Sequence, residues 1–228
     1  MLDLSAYTVL TFDCYGTLVD WETGIAAALD SLLAEHGVEL DREDLLQLYA
    51  EFERAAQVGE FKPYREVLAA VVDRFAERFG FAATARDRGL LAASLGDWPV
   101  FPDTRAALES LAAHYRLAVL SNIDDDLFAD TARHLGVEFE AVITAQQVGS
   151  YKPAPGHFHA ALKRLAPREA LLHVAQSLFH DVAVARSLGI ATVWVNRRGK
   201  SEGGATPSSA ARPDLEVPDL ASLAALVA

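Results

Sequence analysis

A carboxylate stands at the end of the apolar run in FDCYGTLVD, and a hydroxyl follows four places later: Asp13 and Thr17. An ionised aspartate in such a place can attack carbon or phosphorus and form an ester that water then hydrolyses, which splits one hard step into two. Lys152, in YKPAP, would lower the pKa of Asp13 and help hold an anionic substrate, while Thr17 would orient the carboxylate. Ser121 and Asn122, which end VLSN, offer hydroxyl, amide and backbone donors to a carboxylate or phosphate, and the Asn122 amide could donate to a departing halide. Asp181, closing AQSLFHD, would hold Lys152 or position the hydrolytic water. Each residue also has a local use: Asp13 as a turn residue, Thr17 and Asp181 as helix caps, Lys152 as an ordinary loop lysine.

These four clusters matter together because of the elements that carry them. YTVLTFD reads as a short buried strand that runs straight into Asp13. From Trp21 to Asp97 the apolar residues recur at helical spacing, giving about four helices and no convincing strand. After WPVFPDT the rhythm alternates. Helices near 103–114, 125–136, 155–165 and 179–188 interleave with strands in RLAVLSN, EAVITAQQV, ALLHVAQS and ATVWVNR, and a last helix is expected at 218–226. Alternation of this kind predicts an α/β fold: a doubly wound, Rossmann-like parallel sheet with right-handed crossovers. Strand ends then converge on one edge, which brings Asp13, Ser121, Asn122, Lys152 and Asp181 into one site. The helical block, residues 19–99, is expected to cap a core made of residues 1–18 and 100–228, directly over Asp13. Residues 197–213 read as a polar, mobile Gly/Ser/Pro loop.

Bulk properties narrow the partners. The 228 residues carry a net charge of −12, which argues against non-specific nucleic-acid binding and leaves a small anionic substrate to a local positive patch. The single cysteine, Cys14, cannot form an internal disulfide and fits a reducing compartment. No stretch has the length of a membrane span, and the N-terminus lacks a basic-then-apolar secretion signal, so the expected location is the cytoplasm, with no membrane partner.

FDCYGTLVD, VLSN, YKPAP and AQSLFHD, in this order and spacing, resemble the haloacid dehalogenase superfamily, and DCYGTLVDW with VWVNRRG resembles the branch of the 2-haloacid dehalogenases. The resemblance implies an aspartate nucleophile and a helical cap in the first insertion point; the branch often forms homodimers, and the sequence leaves the oligomeric state open. Phosphatases of the superfamily use magnesium and an Asp two residues after the nucleophile to protonate the leaving alkoxide. Here that residue is Tyr15, a poor acid at neutral pH, and neutral Gln176 stands where a metal carboxylate is expected. A halide leaves without a proton. The implied reaction is therefore metal-independent and cofactor-free: hydrolysis of a 2-haloacid through an aspartyl ester to a 2-hydroxy acid and halide. The alternatives are a magnesium-dependent phosphatase on a small phosphate ester and a non-catalytic binding protein.

The branch also carries a cap arginine for the halide, a Tyr six residues after the lysine and an Asn three before the last Asp. This chain has Ala50 after Tyr49, Phe158 and Leu178 instead. Arg54, one turn beyond Ala50, is the nearest replacement, in a cluster with Glu53, Gln57, Tyr64 and Arg65 that could equally be a solvated helix face. Tyr15, Trp21, Gln176 and Ser177 are the remaining candidates for lining the substrate pocket. Of the histidines, His157, His159 and His173 are expected to be structural or exposed, and only His180 to reach the site.

Overall fold

The computed structural model describes residues 2–199 and 209–227. Strand β1 (Val9–Phe12) is followed by four helices, α1 (Trp21–Glu35), α2 (Arg42–Ala56), α3 (Tyr64–Phe79) and α4 (Ala85–Ser94). The alternating half follows: α5 (Thr104–Ala112), β2 (Arg116–Ser121), α6 (Asp125–Leu135), β3 (Ala141–Thr144), the one-turn α7 (Ala145–Val148), α8 (Gly156–Arg164) and β4 (Leu171–Ala175). A π turn at Leu178–Val182, α9 (Ala183–Ser187), β5 (Ala191–Val195), β6 (Leu215–Val217) and α10 (Leu220–Ala224) complete the order. Residues 200–208 of the polar loop lie outside the described residues.

The six strands form one sheet in the order β3-β2-β1-β4-β5-β6, and every adjacent pair is parallel. All four residues of β1 and all five of β4 are buried, as central strands covered on both faces require. The order runs outward from β1 in both directions, so the chain reverses its winding between β1 and β4. Crevices open beyond the carboxyl ends of strands at such a reversal, and there β1 delivers Asp13 and β4 delivers Gln176 and Ser177.

The sheet was foreseen save for β6, whose three residues follow the undescribed part of the loop and are too short to show a period. The helix expected at 179–188 starts as the π turn, a wider winding found often at functional sites. The two segments that join the helical block to the sheet run side by side: Val19 bridges Val100 antiparallel, and the Asp20 N–H donates to the Pro99 carbonyl. The helical block packs its apolar faces, among them Leu29, Leu46, Leu68, Val72, Phe75 and Leu91, into the same continuous core as β1.

Candidate active site

Asp13 leaves β1 with one face toward a turn, and the turn is built to hold it. Gly16 adopts φ +94, a left-handed conformation that only glycine takes without strain, and a Cβ there would lie 3.2 Å from the Trp21 indole nitrogen. The reversal returns Thr17 under Asp13, so that its hydroxyl donates to Asp13 Oδ2 at 2.7 Å and accepts from the Gln176 N–H at 2.9 Å. Thr17 thus ties the first strand's loop to the fourth strand's. Arg197 fastens the same loop from outside: its guanidinium donates twice to the Thr17 carbonyl, pairs with Asp103 and lies 3.8 Å over the Phe101 ring. Sequence reasoning missed this brace, since an arginine after a strand carries no local sign of a partner 180 residues away.

Lys152 is only 2 % exposed, and its three ammonium protons are all used. Nζ donates to Asp13 Oδ1 at 2.8 Å, to Asp181 Oδ1 at 2.6 Å and to the Leu120 carbonyl at 2.8 Å. Burial alone would pull its pKa down, but the two carboxylates outweigh burial and hold it above its ordinary value. The carboxylates share one cation unequally. Burial lifts Asp13 above the usual range; Lys152 and Thr17 pull it back, while the charge of Asp181 pushes it up. Asp181 is held well below that range despite its burial, because Lys152 and His173 both donate to it.

His173 corrects an expectation. It is fully buried in β4, 3.0 Å from Asp181 Oδ1 through Nε2 and 2.9 Å from the Thr11 hydroxyl through Nδ1, and the Phe158 ring packs edge-on against it at 4.9 Å. A proton on Nε2 satisfies both partners. The signal was there to read: a lone imidazole in the apolar run LLHVA must find buried partners. His180 lies at the cavity as expected, and burial takes its pKa down to about 4, leaving it neutral at pH 7.

The residues converge on a cavity of about 70 Å³, lined by Asp13, Tyr15, Trp21, Ser121, Asn122, Lys152, Gln176, Ser177, His180 and Asp181, with Glu53, Gln57 and Tyr64 from the helical block. Ser121 Oγ is fully buried and has no partner among the described residues. Asn122 serves differently from the expectation: its amide clasps the Lys152 backbone, donating to the carbonyl at 3.1 Å and accepting from the N–H at 2.7 Å, so it places the lysine. Tyr15 lines the wall, but its hydroxyl is bound to Thr131 at 2.7 Å and burial pushes its pKa well above the usual phenol value. The Ser177 hydroxyl accepts from the His180 N–H and caps the π turn.

A sequence profile described as haloacid dehalogenase-like hydrolase matches residues 7–189, which span every element just described from β1 to α9. The chain belongs to the haloacid dehalogenase-like hydrolase family. Among curated relatives, (S)-2-haloacid dehalogenase 2 of Pseudomonas sp. (strain CBS-3) is 27% identical over 195 residues, covering 82% of this chain and 83% of its own. Phosphoglycolate phosphatase of Yersinia pestis is also 27% identical, over 205 residues, covering 83% and 81%. A crystal structure of an L-2-haloacid dehalogenase superposes with a TM-score of 0.81 at 26% identity, covering 97% of this chain and all of that one. The L-2-haloacid dehalogenase from Xanthobacter autotrophicus with chloropropionic acid covalently bound shares the fold at a TM-score of 0.82 and 20% identity, over 97% and 98% of the two chains.

In this haloacid dehalogenase-like hydrolase the cap supplies the ceiling. Glu53 extends from α2, Gln57 from the residue just past its end and Tyr64 from the start of α3. Arg54 does not reach the inner cavity. It lines an outer cleft of about 400 Å³, between the end of α2 and residues 149–154, that meets the inner cavity at Glu53, Gln57, Lys152 and His180. Arg65 turns to the surface and pairs with Asp126. Lys152 is therefore the one cationic side chain among the described residues that line the inner cavity. A larger cavity, about 680 Å³, lies beyond the amino ends of the strands around Tyr7, Tyr115 and Leu215, at the edge away from Asp13.

Proposed function

We propose that this hydrolase displaces halide from a small 2-haloacid through an ester on Asp13, without a metal. The observation that carries the reading is Asp13 itself, held between Lys152 Nζ and the Thr17 hydroxyl at the floor of a cavity where the Ser121 hydroxyl has no partner among the described residues. The substrate carboxylate takes the Ser121 hydroxyl and the Asn122 backbone N–H. This sets the halogen-bearing carbon against the Asp13 carboxylate. Attack forms the ester and releases halide. Water then attacks the ester carbonyl, with Lys152 stabilising the charge that develops on its oxygen. Asp181, anchored by His173, keeps Lys152 in place.

Magnesium fits this donor set poorly. Both carboxylates already give an oxygen to the Lys152 ammonium, Asp13 Oδ2 accepts from Thr17, and the next candidate ligand is the neutral Gln176. The second reading is a phosphatase, supported by the phosphatase relative, which has the dehalogenase's 27% identity over a similar share of both chains. A panel of chloro-, bromo- and fluoroacetate, the 2-halopropionates and an aryl phosphate, assayed with magnesium and with EDTA, separates the two. Halide release that persists in EDTA and vanishes in Asp13→Asn is expected. Magnesium-stimulated phosphate release with no halide from any acid would replace this reading by the second.

A further inference from the structure

The ceiling of the cavity holds a carboxyl that the reaction above leaves unused. Glu53 projects from α2 into the space that Asp13 enters from β1, and it also faces the outer cleft. The Tyr64 hydroxyl donates to its Oε1 at 2.6 Å, and the Tyr49 hydroxyl stands 3.5 Å from the same atom. Both phenols crowd one oxygen. Oε2 has no hydrogen-bond partner among the described residues, so a proton on the carboxyl belongs there. The groups around Glu53 are Tyr49 and Arg54 on its own helix, Tyr64 on α3, Tyr151 across the outer cleft, and Asp13, Lys152, His180 and Asp181 across the cavity. Burial raises its pKa against the pull of the two tyrosines and Arg54.

The charges of the cavity explain why such a carboxyl is tolerable there. Lys152 already answers two carboxylates, Asp13 and Asp181. An ionised Glu53 would add a third negative charge to a cavity of about 70 Å³ that must admit an anion and expel another. A neutral Glu53 adds a donor instead. A nucleophile that enters carbon from the floor drives the leaving group away from itself, toward the ceiling.

We propose that the Glu53 carboxyl is the acid of this site, handing its Oε2 proton to the group that departs as Asp13 attacks, and so fits the enzyme to basic leaving atoms, fluoride foremost. The proposal rests on Asp13 as the nucleophile and adds the class of leaving group. In the first step an Asp13 oxygen bonds to carbon, the carbon–fluorine pair goes to fluorine, and fluorine takes the Glu53 proton, leaving Glu53 ionised. In the second, water splits the ester at its acyl carbon. The 2-hydroxy acid leaves, Asp13 is restored as carboxylate, and the proton that hydrolysis frees returns to Glu53. The sum is R–F + H₂O → R–OH + HF.

The test compares fluoride release from 2-fluoropropionate with bromide release from 2-bromopropionate, in the wild type, Glu53→Gln and Glu53→Ala. Bromide needs no proton. Loss of the acid should cut fluoride release by about a hundredfold or more and bromide release by less than about tenfold. Equal falls in both arms, or a wild type that releases bromide but no fluoride, overturn the proposal. Infrared difference spectra supply a readout that needs no turnover. A protonated-carboxyl band at pH 7 that disappears in Glu53→Gln supports the acid, and its absence from the wild type overturns it. Failure of the wild type on both substrates, with no ester on Asp13, instead sinks the dehalogenase reading, and the infrared band still decides the state of Glu53.

Discussion

Two buried carboxylates share the single ammonium of Lys152, and the division of that charge has opposite consequences for each. The pKa of Asp13 is raised in the fold, so its contribution to stability is present below the unfolded value of about 3.9 and is lost as pH rises through the folded value. Ionised Asp13 thus costs stability at pH 7. Asp181 is depressed, so its contribution is present above the unfolded value and lost only as pH falls through the folded one. Asp13→Asn should therefore abolish turnover while stabilising the protein by about 1 kcal/mol, roughly 2–4 °C in Tm at pH 7, with the gain vanishing below about pH 4. Thermal melts across that range check it; an unchanged or lowered Tm at pH 7 would refute the unequal sharing. The same shift places the acid limb of ester formation above the ordinary aspartate range, measurable as the pH dependence of kcat/KM. Asp13, Thr17, Lys152 and Asp181 were legible in the sequence because each follows a strand whose neighbours could be named. The burial of His173 could be read from its apolar run, but its partner Asp181 could not, and Arg197 showed no sign at all, since their partners come from other loops that only the folded chain brings near.

At the scale of elements, helix α3 begins without a cap of its own. Pro63 precedes it and has no side chain to accept the first N–H groups. Asp124, on the loop after β2, reaches across and accepts both the Tyr64 N–H at 2.8 Å and the Arg65 N–H at 3.0 Å. One aspartate of the core therefore finishes a helix of the cap, beside the Tyr151 hydroxyl that donates to the Lys62 carbonyl. Asp124→Ala should cost about 1 kcal/mol in denaturant unfolding and raise KM more than it lowers kcat, because Tyr64 forms part of the cavity ceiling. A loss confined to kcat would contradict that placement. The cap helices themselves were readable from their apolar period, which each amphipathic helix must display to bury one face. Their attachment was not, because a cap donated from sixty residues away leaves no trace in the local sequence.

At the scale of the molecule, the sheet order and the inserted helices follow from the alternation of strand and helix periods, and they alone decide that four segments far apart in sequence meet at one edge. The shape of the enclosed space could not be read that way, since it depends on how α2 and α3 settle over the edge. That space is small: about 70 Å³ inside, with about 400 Å³ in the cleft outside. Acids of two or three carbons should be the best substrates. Each further methylene must displace Glu53, Gln57 or Tyr64 or reach into the cleft, at about 1–3 kcal/mol in kcat/KM. A series of 2-bromoacids of rising length tests this, and a flat profile would place the substrate in the outer cleft.

The Arg197 brace on Thr17 sets an order of events during synthesis. The nucleophile's strand emerges well before the brace, since Thr17 and Arg197 stand 180 residues apart. At about 5–20 residues per second the interval is roughly 9–36 s, over which the lysine, the second carboxylate and finally the brace emerge in turn. Until that interval closes the chain holds a carboxylate-bearing strand without its complete active site, and the reactive geometry arises only once Arg197 has joined it.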